Sequence, residues 1–298
     1  MPPILAQRAR AAIYPLRDAH RDNYAFSVTA STGAKYAGHT RDFHGYPFSV
    51  HGYYDWRNWA VALALCQPGD TIIEIGANVG TETVGFRDIV GATGKVFAFE
   101  PVPSNVAVLK QLVALNGWTN VEVLPVALCD RHGTTAFVPP PDDHSTGVGH
   151  IAGLGVAASG QGQGIEVECR PLDSYASALG QARAVFCDTE GAETMVLKGA
   201  LNYLRQHRPV LVMEASPKLL PRLGSSVAAL HQAIRGAGYE AFLIGRLGVS
   251  PITNDAPAKA GNCLCLPAEL IEVAGRCTRF IRRCALLPCL RGLNPLRR

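Results

Sequence analysis

The sequence predicts an α/β fold in which a mostly parallel β-sheet is covered by helices on both faces. Two observations predict it. From residue 71 to about residue 267, apolar runs of strand length alternate with amphipathic segments of helix length. The strand runs are apolar at consecutive positions, which is typical of strands buried on both faces of a parallel sheet.

Seven runs have the length and composition of strands. They are Thr71–Ile75, Lys95–Glu100, Val121–Leu128, Ala184–Cys187, Pro209–Glu214, Glu240–Gly245 and Asn262–Leu266. Helices are expected between most of them, at Val79–Val90, Ser104–Asn116, Ala192–Arg205 and Ser226–Gly236. Only a loop separates the last two strand runs, so these two are free to pair antiparallel.

The pattern of residue types divides the chain into three regions. Residues 1–69 predict a helical or irregular cap, with one helix from Trp56 to Cys66. Residues 70–268 hold the alternating pattern, interrupted at 130–164 by an insertion rich in proline and glycine. We expect this insertion to be a long loop or an irregular hairpin, of the kind that often serves as a lid or a binding loop.

Residues 269–298 form a basic tail. Its arginines are Arg276, Arg279, Arg282, Arg283, Arg291, Arg297 and Arg298. The first interpretation is a C-terminal helix docked on the domain and followed by a solvated end. The second is a basic amphipathic helix that touches an anionic surface.

Composition excludes several classes of protein. Of the 298 residues 48% are hydrophobic and 17% charged, as in ordinary globular enzymes, and a net charge of +4 does not by itself indicate nucleic acid. The nine scattered cysteines predict reduced, buried thiols rather than a disulfide framework. We find neither a signal-peptide core nor an apolar run of the roughly 20 residues that a spanning helix needs, so a cytoplasmic location is expected.

A glycine-containing bend follows the first predicted strand. Gly76 and Gly80 allow a sharp turn and close approach of a ligand to the N-terminus of the next helix. Asn78 occupies the place of the middle glycine that a dinucleotide motif requires, and Glu74 would repel a pyrophosphate while attracting an α-amino group. The bend therefore favours an aminoacyl-sulfonium nucleoside over NAD, with Gly76, Asn78 and Gly80 lining its methionine part.

A second carboxylate anchor ends the next predicted strand. Glu100 lies 20 residues after Gly80 and is placed to accept both hydroxyls of a ribose, with support from Asn105. Either Thr81 or Thr83 is expected to cap the helix or to reach the carboxylate of the cofactor. Ala127 is expected to touch the adenine through its backbone.

These motifs resemble those of the FkbM family of methyltransferases. The resemblance is carried by 74–80, by Phe99-Glu100-Pro101 with Asn105, and above all by the Asp-x-Glu-Gly-x-Glu block at 188–193, and it covers about residues 70–215. It implies a Rossmann-like class I methyltransferase fold, with a seven-stranded mostly parallel sheet and an antiparallel last strand. It also implies methyl transfer from S-adenosylmethionine to a hydroxyl oxygen on a sugar, glycan or natural-product-like small molecule. Phe186 stands where the family often has lysine.

Asp188 and Glu190 are the candidate catalytic residues, because ligands of open α/β sheets collect at the carboxyl ends of the strands. Either is suited to remove the acceptor proton or to orient the sulfonium. Glu193 is spaced to share the face of Glu190 once the helix has begun. Two alternatives stay open: Asp188 caps a helix, or the three acids hold a divalent cation, although no metal is expected.

Other residues are weaker candidates for the acceptor side of the site. His144 and His150 in the insertion are candidate bases, Tyr54 and Asp55 are candidates to close over the cofactor, and Glu214 faces the acceptor cleft or caps a strand end. The acceptor is expected to contact residues 1–69 and the insertion.

Two competing functions remain at this point: an inactive S-adenosylmethionine-binding protein, and, less favoured, a nucleotide-dependent oxidoreductase. The expected partner is a small-molecule or glycan acceptor, not nucleic acid.

Overall fold

The computed structural model describes residues 1–138, 149–151, 164–253 and 261–297. The α-helices are α1 Pro3–Ile13, α2 Leu16–Asp22, α3 Gly45–His51, α4 Trp56–Leu65, α5 Thr83–Val90, α6 Pro103–Leu115, α7 Ala176–Leu179, α8 Glu193–Lys198, α9 Leu201–His207, α10 Val227–Gly236 and α11 Val273–Leu286. The strands are β1 Ala25–Thr29, β2 Lys35–His39, β3 Thr71–Ile75, β4 Lys95–Phe99, β5 Val121–Leu124, β6 Ala127–Leu128, β7 Gly133–Val138, β8 His150–Ile151, β9 Ile165–Arg170, β10 Ala184–Cys187, β11 Val210–Ala215, β12 Tyr239–Gly245, β13 Gly248–Pro251 and β14 Gly261–Pro267. Short 3-10 helices cover Leu172–Tyr175, Leu220–Leu223 and Ala268–Leu270.

The main sheet has the strand order β13-β12-β14-β11-β10-β3-β4-β5. β11, β10, β3, β4 and β5 run parallel to one another, whereas β14 pairs antiparallel with both β11 and β12. The expected mostly parallel sheet with an antiparallel last strand is confirmed. The sheet has eight strands rather than seven, because β13 adds a hairpin partner to the edge strand β12.

Both faces of the sheet are buried, which explains why its strands are apolar at consecutive positions. On β3, Ile72 faces one hydrophobic core and Ile73 faces the other. Helices α4, α5, α6 and α11 contribute buried residues to the first core, and α8, α9 and α10 contribute to the second.

The predicted strand at 121–128 is divided in two. β5 stays in the main sheet, and after Pro125 the chain leaves it to form β6 in a second, four-stranded sheet of order β6-β9-β7-β8. Proline has no backbone N–H to donate to the ladder, so the strand ends there. The described part of the insertion, 130–138, 149–151 and 164, supplies β7 and β8 to this small sheet, and the remainder of it lies outside the described residues.

Residues 1–69 contain a feature that the sequence did not predict. In addition to α1–α4, β1 and β2 form an antiparallel hairpin that pairs Ala25 with His39 and Thr29 with Lys35. The hairpin packs against α3 and touches α6, so this region is neither purely helical nor irregular.

The basic tail begins as a docked helix. Cys277, Ile281 and Cys284 on α11 are buried in the first core, and the helix packs along α4. Its apolar side is therefore turned toward the protein, as the first of the two interpretations expected. Within the described part of the chain, no helix is long and apolar enough to cross a membrane.

Candidate functional site

Two adjoining pockets lie at the carboxyl ends of β3, β4 and β10. They span about 540 and 600 Å³ of space that is partly open to solvent. Both pockets are lined by Ile75, Gly76, Asn78, Asp188 and Glu190, so the two share one wall.

The first pocket, here called the apolar pocket, has one wide apolar side. Its remaining lining residues are Phe99, Glu100, Pro101, Asn105, Val126, Ala127, Leu128, Phe137, Gly149, Ile151 and Thr189. The predicted ribose anchor and the predicted adenine contact, Glu100 and Ala127, thus lie in the same cavity. The apolar side comes from the small sheet, in which Ala127 of β6, Phe137 of β7 and Ile151 of β8 belong to one buried cluster.

Glu100 is buried and held by three donors. One carboxylate oxygen accepts from the backbone N–H of Asn78 at 2.9 Å, and the other accepts from Val102 N–H at 2.9 Å and from the Asn105 amide at 3.3 Å. Burial raises the pKa of Glu100 despite these bonds. The carboxylate is therefore fixed in position before any ligand arrives, and Asn105 helps to hold it.

The bend between β3 and α5 depends on its glycines. Gly76 has φ +85°, and a Cβ there would overlap the carbonyl oxygen of Asp188, so the backbones of β3 and β10 approach closely at this point. Asn78 also has a left-handed backbone, with φ +49°. Gly80 serves packing instead of lining either pocket: a Cβ there would come within 2.6 Å of Leu109 and Leu112 on α6.

Glu74 is buried beneath the bend. The hydroxyl of Thr83 donates to its carboxylate at 2.6 Å, so Thr83 reaches a protein carboxylate rather than the pocket, while Thr81 lines the second pocket. Burial raises the pKa of Glu74 to about 8, which leaves a large share of it uncharged at neutral pH when no cation is near.

The second pocket, here called the polar pocket, combines residues from distant parts of the chain. Its remaining lining residues are His44, Tyr54, Asn58, Glu74, Ala77, Thr81, Glu82, Phe186, Cys187, Val212 and Asn262. The side chain of Asn58 makes two hydrogen bonds in this pocket. Its Nδ2 donates to Glu82 Oε1 at 2.6 Å, and its Oδ1 accepts from Asn262 Nδ2 at 2.9 Å. The Nδ1 atom of His44 lies 3.5 Å from Nδ2 of the Asn78 side chain. The centroid of the His44 ring lies 4.6 Å from the centroid of the Tyr54 ring.

Sequence reasoning missed His44, Asn58, Glu82 and Asn262. Tyr54 was expected near the cofactor and does line the polar pocket. Its neighbour Asp55 does not line it: Asp55 caps α4 by accepting from the backbone N–H of Arg57 at 2.9 Å.

The loop that contains Asp188 and Glu190 is held by its own last acid. One carboxylate oxygen of Glu193 accepts from Thr189 N–H, from the Thr189 hydroxyl and from Gly191 N–H, at 3.0, 3.1 and 3.2 Å. Glu190 has φ +54°. Helix α8 begins only at Glu193 and has no side-chain cap, so Asp188 is not its N-cap and remains free to face the pockets.

Glu193 therefore does not share a helix face with Glu190, because Glu190 precedes α8 and Glu193 turns back into the loop. Oxygens of Asp188, Glu193 and Glu214 lie within 4.8 Å of one another. The sequence had suggested a different cation site, formed by Asp188, Glu190 and Glu193. Because Glu193 already binds its own loop, we assign no metal to this cluster.

The acids around the shared wall resist ionisation. Desolvation, together with the neighbouring charge of Asp188, raises the pKa of Glu190 to about 8 and that of Glu214 to about 9. Desolvation also raises the pKa of Asp188, which His44 partly counteracts. Glu214 lies next to this cluster without lining either pocket. A cation placed at the shared wall would stabilise the ionised forms of all three acids.

Two histidines of the insertion were predicted as bases on the acceptor side of the site. His144 lies outside the described residues, and His150 falls in β8.

Comparison with known proteins identifies the family. Residues 74–241, more than half of the chain, match the Methyltransferase FkbM domain family. The chain belongs to the FkbM methyltransferase family. The matched segment begins at Glu74 and contains the bend, Glu100 and the whole 188–193 loop, so the cofactor motifs and the candidate catalytic acids all lie inside an S-adenosylmethionine-dependent methyltransferase domain.

Three solved structures are partly similar in shape to this chain. A crystal structure of methyltransferase FkbM from Methylobacillus flagellatus KT is 16% identical, with a TM-score of 0.44 over 66% of this chain and 43% of that one. Aeropyrum pernix fibrillarin with natively bound S-adenosyl-L-methionine is 15% identical, with a TM-score of 0.40 over 70% and 73%. A SAM-dependent O-methyltransferase from Thermotoga maritima is 11% identical, with a TM-score of 0.39 over 72% and 65%. No curated protein matches the sequence.

Proposed function

We propose that this FkbM-family protein transfers the methyl group of S-adenosylmethionine to a hydroxyl on a sugar, a glycan or a natural-product-like small molecule. The observation that carries the proposal is the wall shared by the two pockets. A nucleoside in the apolar pocket would meet an acceptor in the polar pocket at Gly76, Asp188 and Glu190.

The apolar pocket suits an adenosine. Glu100, fixed by its three donors, keeps lone pairs for the ribose hydroxyls, and the side formed by Val126, Ala127, Phe137 and Ile151 suits the faces of the adenine ring. The neighbouring acids suit the positive end of the cofactor. Asp188 and Glu190 line the shared wall toward which the sulfonium would extend, and Glu74 lines the adjoining polar pocket, where it suits the ammonium.

The polar pocket suits a neutral, polyhydroxylated acceptor. It offers carboxylates, the amides of Asn58 and Asn262, and the hydroxyl of Tyr54, groups that both donate and accept hydrogen bonds. An anionic acceptor would be repelled by the acids at the shared wall. A neutral hydroxyl would not.

Methyl transfer needs alignment and a proton acceptor. In the displacement, a bond forms between the acceptor oxygen and the methyl carbon while the carbon–sulfur bond breaks, and the hydroxyl proton passes to a nearby base. Asp188 and Glu190 are the proposed bases, since both line the shared wall. His44 is a third candidate, because it lies in the same pocket beside Asp188.

We also propose a cytoplasmic location, because all nine cysteines are free thiols and eight of them are buried. No observation favours the inactive binding protein or the oxidoreductase.

The test is methyl transfer from radiolabelled S-adenosylmethionine to a panel of neutral sugars and glycans, with anionic sugars as the matched panel. We expect the parent protein to form methyl ethers on the neutral members of the panel. If Asp188 is the base, the variant Asp188→Asn should form them at least 100-fold more slowly. The exposed variant Glu240→Gln should form them at the parent's rate. Binding of the methyl donor without transfer to any hydroxyl compound would contradict O-methylation. Failure to bind either the donor or S-adenosylhomocysteine would contradict the cofactor assignment itself.

A further inference from the structure

The two ends of the described chain form one surface, here called the terminal face, which consists of Met1 and Leu5 together with 286–293. The backbone N–H of Cys289 donates to the carbonyl of Met1 at 3.3 Å, and α1 packs against α11. The terminal face exposes five large apolar side chains, each between 50% and 62% accessible. They are Met1, Leu5, Leu286, Leu290 and Leu293.

The exposed leucines belong to a fixed segment rather than to a frayed end. Asn294 is buried, and its amide donates to the carbonyls of Cys284 and Leu287 at 2.9 and 2.8 Å. Leu296 is fully buried in the first core. The chain after α11 is thus anchored at 294–296 while Leu290 and Leu293 point outward. Single exposed leucines are ordinary, but a held cluster of them indicates a partner.

The charge along the C-terminal part of the chain, from α11 onward, has one sign. From Val273 to Arg297 the chain contains six arginines and no aspartate or glutamate. Arg279, Arg282, Arg283 and Arg291 are exposed. None of the six forms an ion pair with a carboxylate of the described residues, so their charge is available to an anionic partner.

We propose that the terminal face docks on the anionic lipid surface of a membrane. The exposed leucines would enter the boundary between headgroups and acyl chains, and the arginines would contact lipid phosphates. The buried apolar side of α11 takes no part. A second copy of this chain fits less well, because a two-fold contact would bring the arginines of both copies together. Nucleic acid would use the arginines but not the leucines. This proposal does not depend on the proposed function.

The test is cosedimentation of the full chain with vesicles, either of phosphatidylcholine alone or of phosphatidylcholine and phosphatidylglycerol at about 3:1. We expect binding to the anionic vesicles only, weakened by added salt. The double variant Arg283→Gln/Arg291→Gln should bind about 30-fold more weakly, since each arginine near such a surface contributes about fivefold. Leu290→Asp/Leu293→Asp should also lose binding.

Matched controls are Arg131→Gln and Leu115→Asp, which change an exposed arginine and an exposed leucine elsewhere and should bind like the parent. Unfolding temperatures show whether each variant is folded. Equal binding to both vesicle types, or none, overturns the proposal. A dimer that sedimentation equilibrium detects and that the leucine variants abolish also overturns it. The proposal is likewise overturned if the control variants lose vesicle binding as the test variants do.

Discussion

At the scale of single residues, the site depends on carboxylates held in different ways. Glu100 accepts three hydrogen bonds, Glu193 accepts three from its own loop, and Glu74 accepts one from Thr83. Glu214 differs, because its Oε2 is buried with no hydrogen-bond partner among the described residues. These differences decide which substitutions affect binding and which affect stability.

Glu100→Ala is expected to weaken binding of S-adenosylhomocysteine by at least tenfold, because the ribose loses a charged acceptor already fixed in place. Calorimetric titration measures the affinity, with the exposed variant Glu122→Ala as the control. Since Ala also removes the partner of Asn78 N–H, Glu100→Gln is measured beside it. Unchanged affinity in both variants would show that the ribose lies elsewhere.

Binding of the methyl donor is expected to release more protons than binding of its demethylated product. Glu190 has a pKa of about 8 and is partly protonated at pH 7.5, and a sulfonium beside it lowers that pKa, whereas an uncharged thioether does not. Calorimetry in two buffers of different ionisation enthalpy measures the difference, a fraction of one proton. Equal proton release for the two ligands would place the sulfonium away from the acids.

Glu214→Gln is expected to stabilise the ligand-free protein at high pH. The folded pKa of about 9 lies above the usual 4.5, so the stability linked to this group is complete below pH 4.5 and is lost as pH rises toward 9. The variant avoids that loss. We expect its unfolding temperature to exceed the parent's by about 2 °C or more at pH 8.5 and by little at pH 5. If the variant and the parent differ in unfolding temperature by the same amount at pH 5 and pH 8.5, the raised pKa assigned to Glu214 is wrong.

At the scale of elements, the tight approach of β3 and β10 controls the pocket. Gly76→Ala must combine a strained backbone with overlap onto the carbonyl of Asp188, so we expect it to lower the unfolding temperature by several degrees and to abolish cofactor binding. Gly236→Ala is the matched control, since nothing lies within 4 Å of its added Cβ. Normal cofactor binding by the Gly76 variant would mean that the bend tolerates displacement.

Elements buried on both faces were the ones that the sequence predicted well. β3, β4, β10 and β11 lie within a residue of their expected bounds because burial makes them apolar throughout. The hairpin β1–β2 was missed because it is largely exposed and carries no such pattern. The division at Pro125 carried a readable signal, a proline inside an apolar run.

The site was predictable where it is continuous in the chain. The bend and the 188–193 loop are contiguous motifs, whereas His44 before α3, Asn58 on α4 and Asn262 on β14 come together only in the folded protein. No spacing rule joins residues 44, 58 and 262, since their distances along the chain reflect topology rather than helix or strand periodicity.

At the scale of the whole molecule, the family match and the folding unit differ in extent. The match ends at residue 241, yet β14 begins at Gly261 and lies between β11 and β12 in the sheet. We expect the excised fragment 74–241 to lack cooperative thermal unfolding, measured by circular dichroism, whereas a fragment from 1 to 297 should retain it. A cooperative transition in the short fragment would contradict this expectation.

The position of β14 has a consequence for how the protein acquires its shape during synthesis. β11 emerges from the ribosome at least 45 residues before the strand that must lie beside it, and until then its open edge can pair with other chains. The same late strand brings Asn262 to the polar pocket. Ligand recognition on that side can therefore begin only after β14 has been inserted.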